Sequence, residues 1–409
     1  MRTPVVVFVL LAVSTTAAKV FLAGLGHNFD LESWAMFAEL ARDGKNVYAE
    51  TYRNPYGPIW IYICAAVRWV QVHLLDSDTI EGFHRLVALF LALADVAMAA
   101  LLARYRSFLA GALFLANPVS MLVSGFHSQF DNVAVLLGLV ACIILDTSEE
   151  PRVPRFTVAM SILGISLALK HVLFFFPLWL VLHRGWTRRH RALALLPYGI
   201  FTAGFVPFIQ EERGLEGVID HVLMYESVHL EGFFPRLVHV FVPLPLIERL
   251  FAWVPVFSGF KLVWLLGVLL TGFLVRRKSY SEQVLVYVVA IVALSSAMAD
   301  QYLAIPLAAC AVYWRYFTSW WYVAVSALYL ASSQANVGML PAMAPYALWV
   351  RELGLERWHP VAALVVFLAL YLARGSDDHR SASSPLPTMS IKAGKRSQAE
   401  KSALEAVSG

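Results

Sequence analysis

Charged side chains are scarce in this chain: Asp, Glu, Lys and Arg make up 15% of its 409 residues, against 59% hydrophobic ones. A soluble domain carries about 25% charged and 45–50% apolar residues, so one water-surrounded core does not account for this excess. Most soluble enzyme folds are thereby excluded. Cysteine is nearly absent too. Cys64, Cys142 and Cys310 stand far apart, each in an apolar run, which leaves no disulfide framework and no metal-binding spacing. The formal net charge is only +4, too small to point to a polyanion, and nucleic acid is set aside as a partner. There is no Gly-rich phosphate loop. Neither an internal repeat nor the inverted symmetry of many transporters is visible.

Long hydrophobic runs take the place of these features, and the mean hydropathy is +0.65. The first run covers residues 4–24, and further runs centre near 65, 94, 115, 140, 163, 177, 200, 267, 291, 310, 326 and 366. A span needs about 20 apolar residues, and Lys and Arg collect on the cytoplasmic side. The basic turns at Arg104 and Arg106, Arg152 and Arg155, Arg188 to Arg191, and Arg276 to Lys278 therefore read as cytoplasmic, and the acid-rich stretches 27–53 and 210–231 as external. All these assignments hold together only if the run at 56–75, which carries Pro58, Arg68, Gln71 and His73, is a re-entrant or interfacial helix on the external side. The expected fold is thus an all-α membrane protein: a polytopic bundle of about 12 transmembrane helices over residues 1–374, with a disordered cytoplasmic tail at 375–409 and both termini cytoplasmic. The pair at 157–183 is short for two spans, and Lys170-His171 marks its break. Trp34, Trp60, Trp349 and Trp358 are expected in the outer aromatic belt.

Ionisable groups at membrane depth are functional candidates. Asp30 and Glu32 follow the first run and stand about 200° apart on a helix, so one works while the other supports. The segment Phe126 to Asn132 sets His127, Gln129, Asp131 and Asn132 between apolar runs, a density of hydrogen-bonding groups suited to a hydroxyl-rich ligand such as a sugar; a turn with an N-capping Asp131 is the alternative. Lys170 and His171 offer a cation for a phosphate, or an interfacial lysine that snorkels. Asp300, Gln301 and Tyr302 form a fourth cluster, and Arg53 with Tyr56 a fifth. Asp95 is the most buried acid by sequence and is expected to bond a neighbouring helix. The five clusters lie on one side of the membrane in this topology, which favours an enzyme over an ion-coupled transporter.

At these residues the sequence resembles the polytopic glycosyltransferases of the C-type fold (GT-C). The likeness rests on the order of the motifs: Asp30-Leu31-Glu32 after the first span, similar to the Asp-x-Glu of dolichyl-phosphate-sugar transferases; Tyr56-Gly57-Pro58 opening a membrane-lying helix; Asn117-Pro118 followed by His127 to Asn132; a Lys-containing break at Lys170; and Asp300 to Tyr302. It covers most of residues 1–320. The Lys170-His171 pair departs from the Lys-Pro or Lys-Gln of some relatives. The resemblance implies transfer of a hexose such as mannose from a polyprenyl-phosphate donor to a glycan or lipid-linked acceptor at the external face, with inversion. Asp30 or Asp131 would be the base, with Glu32 supporting. Arg53, Lys170 and His171 would meet the phosphate, while Tyr56, His127, Gln129, Asn132, Asp300, Gln301 and Tyr302 would bind substrate. The 210–256 loop, with Glu211, Glu226, His229 and Arg236, would cover the cavity. No cofactor is required, although the Asp-x-Glu pair could hold a divalent metal. A bacterial inner membrane is the expected location. The rival reading is a transporter or flippase of lipid-linked glycans, which should place polar residues deep in several spans.

Overall fold

The computed structural model describes residues 2–148, 152–183, 186–225, 232–233, 235–237, 259–336, 349 and 352–374. The tail at 375–409, with Glu226, His229 and much of the expected 210–256 covering loop, lies outside the described residues. Every described element is helical. In chain order the first α-helices are α1 (Arg2–Ala23), α2 (Phe29–Arg42), α3 (Val47–Glu50), α4 (Pro58–Leu74), α5 (Ile80–Tyr105), α6 (Phe108–Leu115) and α7 (Pro118–Ser120). A π-helical turn, Met121–Phe126, leads into α8 (Asp131–Asp146), and then come α9 (Val153–Leu169), α10 (Phe176–Val181), α11 (Arg188–Leu193), α12 (Leu196–Phe205) and α13 (Glu212–Val218). Beyond the 226–258 region lie α14 (Gly259–Val275), α15 (Tyr280–Ala293), α16 (Leu307–Val312), α17 (Phe317–Asn336) and α18 (Trp358–Ala373).

Two described helices are long and apolar enough to cross a membrane, Pro4–Ala23 and Ile80–Tyr105. The number rises to four if two bent pairs each count as a span: Phe108–Leu115 with Pro118–Phe126, bent by 42°, and Val153–Leu169 with His171–Val181, bent by 119°. Four further apolar helices or helix runs are shorter: Lys261–Val275, Tyr280–Ala293, Asp300–Val312 and Trp358–Ala373. The apolar runs of the sequence therefore do not each become a full-length helix. Proline explains much of the difference. It sits in the first turn of α4, α7, α9, α10 and α12, where its fixed φ and missing N–H suit a helix start but end whatever precedes it. Side-chain caps open further helices, and α7 as well. Asn28, Asn46, Thr79, Ser107, Asn117 and Ser279 each accept a hydrogen bond from a first-turn N–H, satisfying donors that otherwise have no partner.

Packing around the site is tight. α1 lies against α5 and the π-helical turn, α2 against α4, and α8 against α9. A Cβ at Gly57 would stand 1.9 Å from the Ala168 carbonyl oxygen, so only glycine lets the Tyr56-Gly57-Pro58 segment reach the end of α9, beside Lys170. Trp34 and Trp60 are fully buried and form no part of an interfacial belt. They pack edge-on to each other at 5.0 Å, and Phe130 stacks on Trp60 at 3.7 Å. Trp358 stays partly exposed, and Trp349 is 51% exposed.

Candidate functional site

Asp30 lies in the first turn of α2, whose N-cap Asn28 accepts from the Leu31 N–H at 3.0 Å. The Asn28 amide also donates to the His127 carbonyl at 3.3 Å, tying the start of α2 to the segment after the π-helical turn. There the chain turns sharply: Ser128 has φ 56°, a left-handed conformation uncommon for a residue with a Cβ. Its hydroxyl is held by His84 at 2.9 Å and the Gly125 carbonyl at 3.1 Å. The turn aims two side chains at Asp30. Gln129 Nε2 donates to Asp30 Oδ2 at 2.5 Å, and His127 Nε2 lies 3.4 Å from the same oxygen.

Gln129 does more than contact Asp30. Its Oε1 accepts from Lys170 Nζ at 3.2 Å, and Lys170 pairs with Asp131 Oδ2 at 2.7 Å. A continuous line therefore runs Asp30–Gln129–Lys170–Asp131. Because Lys170 is a donor only, Gln129 must turn its oxygen to Lys170 and its NH₂ to Asp30. The ammonium also sits 4.6 Å from the Phe130 ring centre and 5.4 Å from that of Tyr56, near enough for cation–π attraction. Lys170 is buried and Asp131 fully so, whereas the Asp30 side chain is 27% exposed. The acid at the end of the line is the one that a ligand can reach. Burial pushes the Asp30 carboxyl up. The hydrogen bond and charge of His127, the charge of Lys170 and the Tyr56 hydroxyl together outweigh burial and hold it below the ordinary carboxylate value. Burial and the nearby Asp30 charge push the Tyr56 phenol well up, so it remains a proton donor.

Several sequence expectations are changed by this geometry. Lys170 neither snorkels nor stands free for a phosphate, because Asp131 and Gln129 claim it. Asp131 is no N-cap: Phe130 holds that position, without a side-chain bond, and Asp131 faces Lys170. Asp30 and Glu32 do diverge. Glu32 lies 3.6 Å from Arg53 and 3.6 Å from His27 at the exposed rim. Arg53 also donates to the Phe29 carbonyl at 2.9 Å and covers the Phe29 ring at 3.4 Å. His171 is outside the hydrogen-bonded line, and its buried Nδ1 has no partner. Asn132 turns away from Asp30 and donates to Asp95 at 3.2 Å. Asp300 lies in a different cluster, accepting from Tyr329 at 2.9 Å, Ser333 at 2.5 Å and Arg357 at 2.9 Å. Those three partners are distinct from the residues of the Asp30–Asp131 line. Gln301 and Tyr302, both half-buried, share a 3₁₀ turn with Asp300, Asp300–Ala304. Among the described residues, no group of three His, Cys, Asp or Glu is arranged to hold a metal ion.

Two further residues enter through the structure rather than through any motif. Lys19, near the end of α1, is 1% exposed and ion-paired with the equally buried Asp95 of α5. Arg357 is the partner of Asp300. The signal for Lys19 was a lone ammonium in an apolar run, with a lone carboxylate in another such run to answer it. No comparable signal marked Arg357. No protein-family model matches the sequence, and no curated protein matches it.

Proposed function

We propose that the chain is a polytopic membrane glycosyltransferase, similar in arrangement to the GT-C enzymes, that moves a hexose from a polyprenyl-phosphate donor to a glycan or lipid-linked acceptor. It would have about twelve spans, with α4 lying re-entrant or interfacial at the external face and both termini in the cytoplasm of a bacterial cell. The observation that carries the proposal is Asp30: an ionised, ligand-accessible carboxylate held by Gln129 and His127 at the edge of a buried polar line.

In this reading the acceptor hydroxyl donates a hydrogen bond to Asp30. It attacks the anomeric carbon as the bond from that carbon to the phosphate oxygen breaks, and the electron pair leaves with the lipid phosphate. Asp30 takes the hydroxyl proton as general base. A carboxylate of low pKa is a weak base, so the proton moves late, when the attacking oxygen has become acidic through bonding to carbon. The leaving charge needs a cation. With Lys170 already paired, Arg53 at the rim is the better placed one, exchanging Glu32 for phosphate. His127 and Tyr56 flank the acceptor.

The test is a liposome assay with radiolabelled polyprenyl-phosphate hexoses, mannose first, following release of polyprenyl phosphate. Release that Asp30→Asn abolishes supports the proposal, while full release by a folded Asp30→Asn protein overturns it. A transporter or flippase of lipid-linked glycans is the second reading. The deep Lys19–Asp95 pair favours it, being the intramembrane polar group that such proteins need. Labelled lipid crossing the bilayer without sugar release would select it.

A further inference from the structure

The π-helical turn Met121–Phe126 is an unusual way to enter a site. It accommodates one residue more per turn than an α-helix, and its register is less favourable. Relaxing it to α would take up that residue and rotate the downstream chain by about 100°. His127 and Gln129 would then no longer meet Asp30. Something must hold the wide turn open, and Ser120, just before it, and Asn132, six residues beyond it in the first turn of α8, share one partner. Ser120, just before the turn, donates to Asp95 Oδ2 at 2.9 Å, and Asn132, just after Asp131, donates to Asp95 Oδ1 at 3.2 Å. Lys19 closes the arrangement by pairing with Asp95 and donating to Ser120 Oγ at 2.9 Å. The turn also lies flat on α1: a Cβ at Gly125 would stand 3.0 Å from the Lys19 Cα.

We propose that Asp95 is the positioning residue of the site: one carboxylate, neutralised by Lys19, staples both ends of the 120–132 segment and holds its π register, so that His127 and Gln129 reach Asp30. The consequence for catalysis rests on the reading of Asp30 as the acting carboxylate; the staple itself does not. The charge pair makes the carboxylate tolerable in an apolar interior, and the two hydrogen bonds do the positioning. Lys19 and Asp95 are each 1% exposed and act on the site through this segment.

The experiment uses the full chain in lipid nanodiscs and two double variants. Lys19→Met with Asp95→Asn removes both charges but keeps the staple, because the amide oxygen still accepts from Asn132 and its NH₂ donates to Ser120. Lys19→Met with Asp95→Leu removes charge and staple together. Amide hydrogen exchange is read peptide by peptide. In the Leu pair, exchange over 121–130 is expected to speed up on the order of 10- to 100-fold, the combined effect of losing two ordinary hydrogen bonds, with α9 and α15 unchanged. The Asn pair should match wild type. Sugar transfer should change in parallel, with kcat lost in the Leu pair and KM for the donor little changed. Unchanged exchange over 121–130 in the Leu pair overturns the proposal, as does an equal rise throughout the molecule, which would make the pair a general stabiliser. If the Leu pair does not fold, Ser120→Ala with Asn132→Val cuts both staple bonds while sparing the ion pair, and the same readings apply, with Ser124→Ala as the control for the Asn132–Ser124 bond that this variant also removes. Should wild type transfer no sugar, the functional reading fails, and the exchange result still judges the staple.

Discussion

Lys170–Asp131 and Lys19–Asp95 are chemically the same pair, a buried ammonium on a buried carboxylate, and they attach to neighbouring residues, Asp131 and Asn132. Their surroundings differ. Around Lys19 every polar partner is buried, and the group is neutral within itself. Around Lys170 there are two carboxylates: the buried Asp131 takes the ammonium, while Asp30, linked to it through Gln129, faces the His127 imidazole and is partly exposed. A balanced, dry cluster has nothing left to offer a ligand and acts on geometry. A cluster that opens to one side keeps a carboxylate within reach of a ligand. Residue type does not separate the two; access does.

The sharpest way to break this contrast is Asp30→Asn, which removes the accessible charge and the base while keeping the shape. Transfer should fall about 10²- to 10⁴-fold, the range for loss of a positioned general base, with the melting temperature close to wild type. Lys19→Met alone has the opposite profile. It strands the Asp95 carboxylate in an apolar interior and should cost about 3–5 kcal/mol of stability, read by thermal unfolding in detergent, whereas adding Asp95→Asn restores most of it.

The next effect is one of pH. Asp30 is held below its unfolded value, so its stabilising contribution is present above about pH 4 and lost as pH falls through the lower folded value. The acid limb of the transfer rate should therefore lie below the ordinary carboxylate range. His127→Ala removes two of the contributions that together outweigh burial, and should move that limb upward in a pH–rate series. The smallest effect belongs to the third cluster. Arg357→Gln weakens a partly exposed pair with Asp300 and should cost on the order of 1 kcal/mol, leaving transfer at the wild-type rate. A large loss of transfer there would return Asp300 to the substrate site.

The helical class and the identity of most polar candidates were legible in the chain. Scarce charge forces apolar runs together, and an acid such as Asp30 or Asp131 among large hydrophobics stands out whatever the fold. The break at Lys170 was legible as well, because Lys-His interrupts a run otherwise apolar. Helix length was not, since the prolines that open α10 and α12 shorten runs that hydropathy reads as continuous. Nor was the division of labour. Asn132 and Gln129 look alike in one seven-residue segment, yet one faces Asp95 and the other Asp30.

By itself the sequence determined the material: an apolar helical chain with a few costly ionisable groups, each needing a partner or a ligand. Only the tertiary structure decided which groups cancel and which remain. That depends on contacts between residues dozens of positions apart, such as Lys19 with Asp95 and Asp30 with Gln129, and on a π turn whose register is set by a carboxylate on another helix. Periodicity along one chain cannot encode such pairings, because the cost of a buried charge is settled by what packs against it.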